Sequence, residues 1–190
     1  MTLNVQAVVG YTWIALGLVW LVGLAFTKRT VRSQAVGSRL FHGVLVVAGF
    51  TLLCGNQLRA GWLGARFLPP SHAADVTGVA LTALGCLFAI WARIQLGANW
   101  SGRATVKAGH ELVVTGPYAV ARHPIYSGLL LAGVGTAIAF GEARCLLGLL
   151  LIFLGFTVKM SQEERLMRET FPDAYPAYRQ RVKALIPGVF

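Results

Sequence analysis

AVVGYTWIALGLVWLVGLAFT, residues 7–27, is a run of apolar and small side chains without a single charge. About 20 residues at roughly 1.5 Å each let a helix cross a hydrocarbon core about 30 Å thick. The segment therefore predicts a transmembrane helix. We expect this helix to be retained, because the run is longer than the core of a cleaved signal peptide and no basic residue precedes it.

The rest of the chain repeats this pattern. Of its 190 residues, 56% are hydrophobic and 13% are charged, and the mean hydropathy is +0.64, whereas about 25% of the residues in a soluble domain are charged. The apolar segments predict spans at about 7–27, 40–58, 76–96, 124–140 and 145–160. We expect an all-α integral membrane protein with five transmembrane helices, whose last two helices form a hairpin around a tight turn.

Small side chains recur along the fourth predicted span. Gly128, Ala132 and Thr136 are spaced four residues apart and therefore share one helix face. Such a stripe lets two backbones approach closely within a membrane. We expect this span to pack tightly against another helix.

The distribution of cations predicts the orientation. The net charge is +10, and Lys and Arg collect on the cytoplasmic side of membrane proteins. Loop 28–39 and loop 93–123 hold four cations each, and the tail 159–183 holds six. The other side holds three, namely Arg59, Arg66 and Arg144. We expect the N-terminus outside and the C-terminus in the cytoplasm, with the protein in an inner (plasma) membrane. We expect the bilayer rather than a nucleic acid as the partner.

The cysteines do not indicate a metal site or a disulfide framework. Cys54, Cys86 and Cys145 lie far apart within apolar segments, without a neighbouring histidine. We interpret them as small buried hydrophobic residues and expect no metal.

GPYAVARHPIYSG, residues 116–128, concentrates polar groups just before the fourth span. Gly-Pro is a turn signal, and a proline in the first helical turn predicts that the helix begins near Pro124. Arg122, His123 and Tyr126 are then close enough to share a face, and a helix N-terminus favours an anionic group. The alternative is interfacial anchoring, in which Arg extends to the headgroups and Tyr lies in the aromatic belt.

KMSQEERLMRETF, residues 159–171, continues the fifth span beyond the bilayer. Glu163 follows Lys159 by four residues, so the two can form an ion pair. A carboxylate at the membrane edge could receive a cationic ligand, or the segment could be an ordinary solvated helix end. Beyond it, Tyr175, Tyr178, Val182 and Leu185 recur at helical spacing, which predicts either a surface-lying amphipathic helix or a docking helix.

Together these segments resemble a known family. LGANWS at 96–101, HELVVTGPYAVARHPIYSG at 110–128 and EERLMRETFPDAYPAYRQRV at 163–182 are similar to the isoprenylcysteine carboxyl methyltransferase family. Its wider relatives include membrane phospholipid N-methyltransferases. The resemblance implies a helical, membrane-embedded fold that uses S-adenosylmethionine. It also implies a single domain, 1–190, with N-terminal spans in 1–95 and the catalytic, cofactor-binding region in 96–190.

The resemblance also implies site residues. The implied cofactor-binding residues are Arg103, His110, Glu111, Leu112, Val113, Tyr118, His123, Pro124, Ile125, Tyr126, Glu163 and Glu164. The candidate catalytic residues are Arg122, Tyr126, Lys159 and Arg181. By this resemblance, Lys159 occupies a position where a family member has a substrate-binding Arg, and Lys lacks the bidentate fork of Arg.

The chemistry of the cofactor fits these residue types. Glu163 suits its ammonium, the helix mouth suits its carboxylate, and a ring of Tyr118 or Tyr126 suits its sulfonium. Arg122 and Arg181 are candidates for orienting an anionic acceptor. Methyl transfer is an in-line displacement, which depends mainly on positioning and desolvation.

The predicted function is methyl transfer from S-adenosylmethionine to a lipophilic or lipidated acceptor, such as a prenylcysteine-like carboxylate. A phospholipid amine or a small thiol is an alternative acceptor. Two further alternatives are an NADPH-dependent membrane reductase of the sterol-reductase type and a non-enzymatic membrane scaffold.

Overall fold

The computed structural model describes residues 4–27, 30–33, 36–55, 57–100, 105–107 and 111–188. Its helices are α1 (Val5–Leu24), α2 (Val36–Cys54), α3 (His72–Leu96), α4 (Pro124–Phe140), α5 (Ala143–Thr170) and α6 (Ala174–Arg181). Two short strands, β1 (Thr30–Ser33) and β2 (Thr105–Lys107), pair antiparallel. Short 3₁₀ turns occupy Gly61–Gly64, Gly97–Asn99 and Gly116–Ala119.

Each of the five predicted apolar segments forms a helix. Within the described residues, three helical stretches are long and apolar enough to cross a membrane: Val5–Leu24, His72–Asn99 and Ala143–Thr170. Leu40–Cys54 and Pro124–Phe140 are apolar but shorter. The structure is therefore that of a helical integral membrane protein. The strand pair is an addition that the sequence did not predict, and it joins the two loops that we expect to be cytoplasmic.

Close backbone contacts hold the long helices together. α3 packs along α4, and α2 packs along α5. A Cβ on Gly85 of α3 would lie 2.3 Å from the amide nitrogen of Ala132, and a Cβ on Gly128 would lie 2.7 Å from that of Ala89. The small-residue stripe on the fourth span is therefore confirmed as a packing face, and its partner is α3.

The last two long helices are consecutive in the chain, but each packs mainly on another helix. Gly141 ends α4 with a left-handed φ of 63°, and Glu142 immediately precedes α5. Two residues, Gly141 and Glu142, therefore connect α4 to α5. Contacts between α4 and α5 are less extensive than those of α4 with α3 or α5 with α2.

The chain beyond α5 folds back against the mouth of α4. The amides of Arg122 and His123 donate to the carbonyls of Lys183 and Ala184 at 2.8 and 2.9 Å. Tyr175 and Tyr178 of α6 are buried, so this helix docks onto the protein. It ends at Arg181, and the predicted stripe therefore leaves the helix before Val182 and Leu185.

Candidate active site

The candidate site lies at the mouth of α4. Gly116, with a φ of 58°, and Pro117 make the turn that precedes it, and Pro124 occupies the first helical turn. This local geometry brings Tyr118 and His123 to the helix end, both buried. The hydroxyl of Tyr178 donates to the carbonyl of Tyr118, so that α6 fixes the turn from the other side.

Tyr126 and Glu163 form the central contact of the site. The Tyr126 hydroxyl donates to Oε1 and Oε2 of Glu163 at 2.8 and 3.0 Å. Its ring stacks on Phe156, with 4.6 Å between centroids. Nζ of Lys159 lies 3.8 Å from Oε1 of Glu163 and 5.4 Å from the Tyr126 ring centroid. The carboxylate is therefore fixed in one orientation beside a buried aromatic ring.

His123 lies between two carboxylates. Its Nδ1 is 3.5 Å from Oε2 of Glu163, and its Nε2 is 3.4 Å from Oε1 of Glu164. Burial alone would lower the pKa of the imidazole, but hydrogen bonds and charge interactions with the two carboxylates outweigh it, and the pKa is raised. The imidazole therefore remains protonated to a higher pH than a free histidine.

Glu164 pairs with several arginines. Nη2 of Arg122 lies 2.6 Å from its Oε1, and its Oε2 lies 3.7 Å from Arg168 and 3.3 Å from Arg179. Nη1 of Arg122 also donates to the carbonyl of Val182. This cluster ties α5, the α4 mouth and α6 together, and it uses the donors of Arg122 within the protein.

A cavity opens between these elements. Its lining residues are Leu96, Asn99, Trp100, Glu111, Leu112, Val113, Tyr118, Arg122, His123, Ile125, Tyr126, Glu163, Met167, Tyr175 and Tyr178. Eight of the predicted cofactor-binding residues are among them, together with the candidate catalytic residue Arg122. The cavity combines two carboxylates, Glu111 and Glu163, with two basic groups, Arg122 and His123, and several aromatic rings. The carboxylates and rings suit a positively charged group of a ligand, and the basic groups suit a negatively charged one.

Other predicted residues take different places. Pro124 is buried in the first turn of α4 and Glu164 lies in the arginine cluster, so neither lines this cavity. Lys159 contacts Glu163 from outside the lining. Arg181 is exposed on α6, and its Nε lies 3.4 Å from the Ala177 carbonyl, away from the cavity. Arg103 and His110 lie outside the described residues.

The expected anion site at the α4 mouth is largely filled by the chain itself. The amides of Arg122 and His123 donate to tail carbonyls, and the Arg122 guanidinium pairs with Glu164. The sequence could not indicate this, because the tail returns from about 60 residues further along the chain. Arg122 therefore positions the tail, a role that its place in the sequence did not predict.

Six lining residues were not predicted individually: Leu96, Asn99, Trp100, Met167, Tyr175 and Tyr178. All six fall within the segments LGANWS and EERLMRETFPDAYPAYRQRV. The resemblance therefore indicated the segments that hold these residues but not the individual residues. Trp100 is held in place by Arg93, whose guanidinium carbon lies 4.4 Å from the ring centroid. The pKa of Tyr178 is raised to about 12, chiefly by burial, so its hydroxyl remains a donor to Tyr118.

Metal-ligating side chains do not cluster in the part of the chain that the structure describes: no group of three His, Cys, Asp or Glu could hold an ion there.

Comparison with known proteins gives one consistent family. Residues 78–169 match the model of the isoprenylcysteine carboxyl methyltransferase (ICMT) family. A rice (Oryza sativa subsp. indica) protein, named a probable protein-S-isoprenylcysteine O-methyltransferase, is 32% identical over 174 residues, which cover 83% of this chain and 90% of the relative.

Other relatives are longer than the matched region. The Schizosaccharomyces pombe protein-S-isoprenylcysteine O-methyltransferase is 33% identical over 50% of this chain and 42% of its own length. The Arabidopsis thaliana protein-S-isoprenylcysteine O-methyltransferase B is 28% identical over 59% of this chain and 58% of its own. The chain thus spans about half the length of these two relatives.

A solved structure shares the fold. The eukaryotic intramembrane Ras methyltransferase ICMT superimposes with a TM-score of 0.52 at 21% identity, covering 84% of this chain and 55% of that one. At this identity the likeness concerns the arrangement of the helices.

Proposed function

Since this chain belongs to the isoprenylcysteine carboxyl methyltransferase family, we propose that it transfers a methyl group from S-adenosylmethionine to the carboxylate of a lipophilic, prenylcysteine-like acceptor. The observation that carries the proposal is the Glu163 carboxylate, held by the Tyr126 hydroxyl and facing a cavity lined with aromatic rings.

The cavity residues fit the donor. S-adenosylmethionine supplies an electrophilic methyl group on a sulfonium, next to an ammonium and a carboxylate. Glu163 and Glu111 would bind the ammonium, and the ring of Tyr118 would lie against the sulfonium. Because Tyr126 already orients Glu163, binding loses little side-chain freedom.

Lys159 is the cation that we assign to the acceptor carboxylate. Its 3.8 Å contact with Glu163 is a loose ion pair, so its ammonium can be shared with a second anion. A carboxylate needs no base to accept a methyl group. The contributions of the protein are therefore alignment of the two reactants and exclusion of water.

We also propose that all five apolar helices span the membrane, with the N-terminus outside and the C-terminus in the cytoplasm. The uneven distribution of cations supports this orientation. The apolar stretches of α2 and α4 are short, but α2 lies along α5 and α4 lies along α3, and both partner helices are long enough to cross a membrane. In this arrangement the donor enters from the cytoplasm, and the acceptor enters from the bilayer.

The acceptor can be tested with purified protein and a donor labelled in its methyl group. An N-acylated prenylcysteine should become labelled, whereas its pre-formed methyl ester should not. Base treatment should release the label as methanol, because carboxyl methyl esters hydrolyse in base and N- or S-methyl groups do not. Base-stable label in a lipid amine or a thiol would assign the alternative acceptors. Absence of label in every acceptor would contradict a methyltransferase.

The donor site can be tested separately by calorimetry with S-adenosylhomocysteine. Glu163→Gln keeps an acceptor for the Tyr126 hydroxyl but removes the charge that pairs with the ammonium. Because a hydrogen bond to a charged group contributes about 1.5–3 kcal/mol, we expect affinity to fall about 10- to 100-fold. The matched control is Glu169→Gln, on the same helix but outside the cavity. Equal affinities of the two variants would refute the assignment of Glu163.

A further inference from the structure

A second cavity lies on the other side of the Arg122–Glu164 pair. Four cationic side chains, Arg122, Arg168, Arg179 and Lys183, line it, and among its described lining residues Glu164 is the only carboxylate. Its floor is formed by α5 residues that include Thr157 and Ser161. It shares Arg122 alone with the lining of the first cavity.

The cations of this cavity are not fully neutralised. Glu164 serves three arginines at once, and its contacts with Arg168 (3.7 Å) and Arg179 (3.3 Å) are longer than its 2.6 Å contact with Arg122. Arg122 is occupied by Glu164 and by tail carbonyls. Arg168, Arg179 and Lys183 are exposed, and Lys183 has no ion pair among the described residues. The cavity therefore has an excess of accessible positive charge.

An apolar stripe on α5 leads directly into this cavity. Leu146, Leu150 and Leu154 are exposed by 46%, 52% and 41%, and their spacing of four residues places them on one face of the helix. The same face continues with Thr157, three residues after Leu154. Ser161 follows four residues later, and Arg168 follows seven residues after Ser161. The stripe thus passes from a lipid-facing surface to the cationic lining without leaving one side of the helix.

We propose that the second cavity binds the phosphate of an anionic phospholipid of the membrane leaflet that faces it, with an acyl chain along the Leu146–Leu154 stripe. Arg168, Arg179 and Lys183 provide the charge for the phosphate, and the stripe provides the apolar surface for the chain. The proposal goes beyond the methyl-transfer function and does not depend on it, because Arg122 is the one lining residue that the two cavities share and the phosphate is assigned to other residues.

The test is a lipid titration of the detergent-purified full chain by native mass spectrometry. Dioctanoyl phosphatidylglycerol is the probe, and dioctanoyl phosphatidylcholine, with the same chains and no net charge, is the comparison. We expect the anionic lipid to bind more tightly. Arg168→Gln and Lys183→Gln should each weaken its binding about fivefold, the usual effect of one basic residue near an anionic lipid.

Arg165→Gln is the matched control. Like Arg168, Arg165 is an exposed arginine of α5 that pairs with a glutamate four residues away, in this case Glu169. Unlike Arg168, it lies outside the cavity. It should leave lipid affinity unchanged. Equal losses in Arg165→Gln and Arg168→Gln, or equal affinities for the two lipids, would overturn the proposal. Displacement of the lipid by inorganic phosphate at the same concentration would also overturn it, because the site would then recognise a soluble anion.

Discussion

The ring of Tyr126 has a different neighbour on each side. Phe156 and His123 stack at centroid distances of 4.6 and 5.6 Å, and Nζ of Lys159 lies 5.4 Å from its centroid. Its hydroxyl reaches Glu163. Because Tyr126 packs between α4 and α5, its hydroxyl links the position of these helices to that of the Glu163 carboxylate, which we propose binds the methyl donor. A small shift of either helix would therefore move Glu163.

His123 gives the site a dependence on pH. Because its folded pKa is raised above the ordinary value of about 6.5, the charged imidazole stabilises the fold fully below that value. This stabilisation is lost as the pH rises through the folded pKa. In thermal melts of the detergent-purified protein, we expect the midpoint to fall between about pH 6.5 and alkaline pH, and His123→Asn to reduce this fall.

The control for this prediction is His72→Asn, because His72 is exposed at the start of α3. This variant should keep the pH dependence of the unmodified protein. If His123→Asn kept the same slope, the paired carboxylates would not be holding a charged imidazole.

At the scale of the helices, close contact between small residues determines which elements pair. Gly85 on α3 and Gly128 on α4 place each helix against the backbone of the other. Gly49 and Gly148 bring α2 and α5 equally close. A Cβ on Gly49 would lie 2.7 Å from the carbonyl oxygen of Gly148, and a Cβ on Gly148 would lie 2.6 Å from that of Gly49. In a membrane, an apolar side chain is as stable against lipid as against another helix. Close packing between small residues therefore determines which helices pair.

Gly85→Ala tests this directly. The added Cβ would lie 2.3 Å from the nitrogen of Ala132, so the two backbones must separate, and overpacking of this kind costs about 1–3 kcal/mol. We expect a lower melting midpoint. Gly17→Ala is the control, since its Cβ would have no neighbour within 4 Å and Ala is the better helix former. A Gly85→Ala midpoint at or above that of Gly17→Ala would contradict the packing argument.

The helices themselves could be predicted, because an uncharged apolar run leaves few other structures in a membrane. Which helix packs on which could not be predicted, because the lipid-facing side of a membrane helix is as apolar as the side that packs on another helix. The same limit applies to the site. Tyr118, His123 and Glu163 were predicted, whereas the capture of Arg122 by Glu164 and by the Val182 carbonyl depends on a tail whose path the sequence does not specify.

At the scale of the whole molecule, the two ends treat their cations differently. Arg59 and Arg144 both pair with Glu142, and the buried Arg144 also donates to the carbonyls of Leu52 and Leu53. At the opposite end, Arg165 and Arg168 remain exposed. Arg59 and Arg144 thus serve the fold at the first end, while Arg165 and Arg168 remain accessible at the second. The orientation we propose rests on the larger number of cations at the second end.

Cysteine labelling in intact cells tests that orientation. In a Cys54→Ser background, the remaining Cys86 and Cys145 are buried and should not react. Gln57→Cys, exposed after α2, should react with a membrane-impermeant maleimide added outside. Arg165→Cys, whose side chain is 77% exposed in the parent protein, should react only after the membrane is permeabilised, because the proposed five spans would put these positions on opposite sides. Labelling of both reporters from outside would mean that an even number of crossings separates them. If Arg165→Cys alone were labelled from outside, the topology would be the reverse of the one proposed. The donor cavity would then face away from the cytoplasm, which supplies the methyl donor.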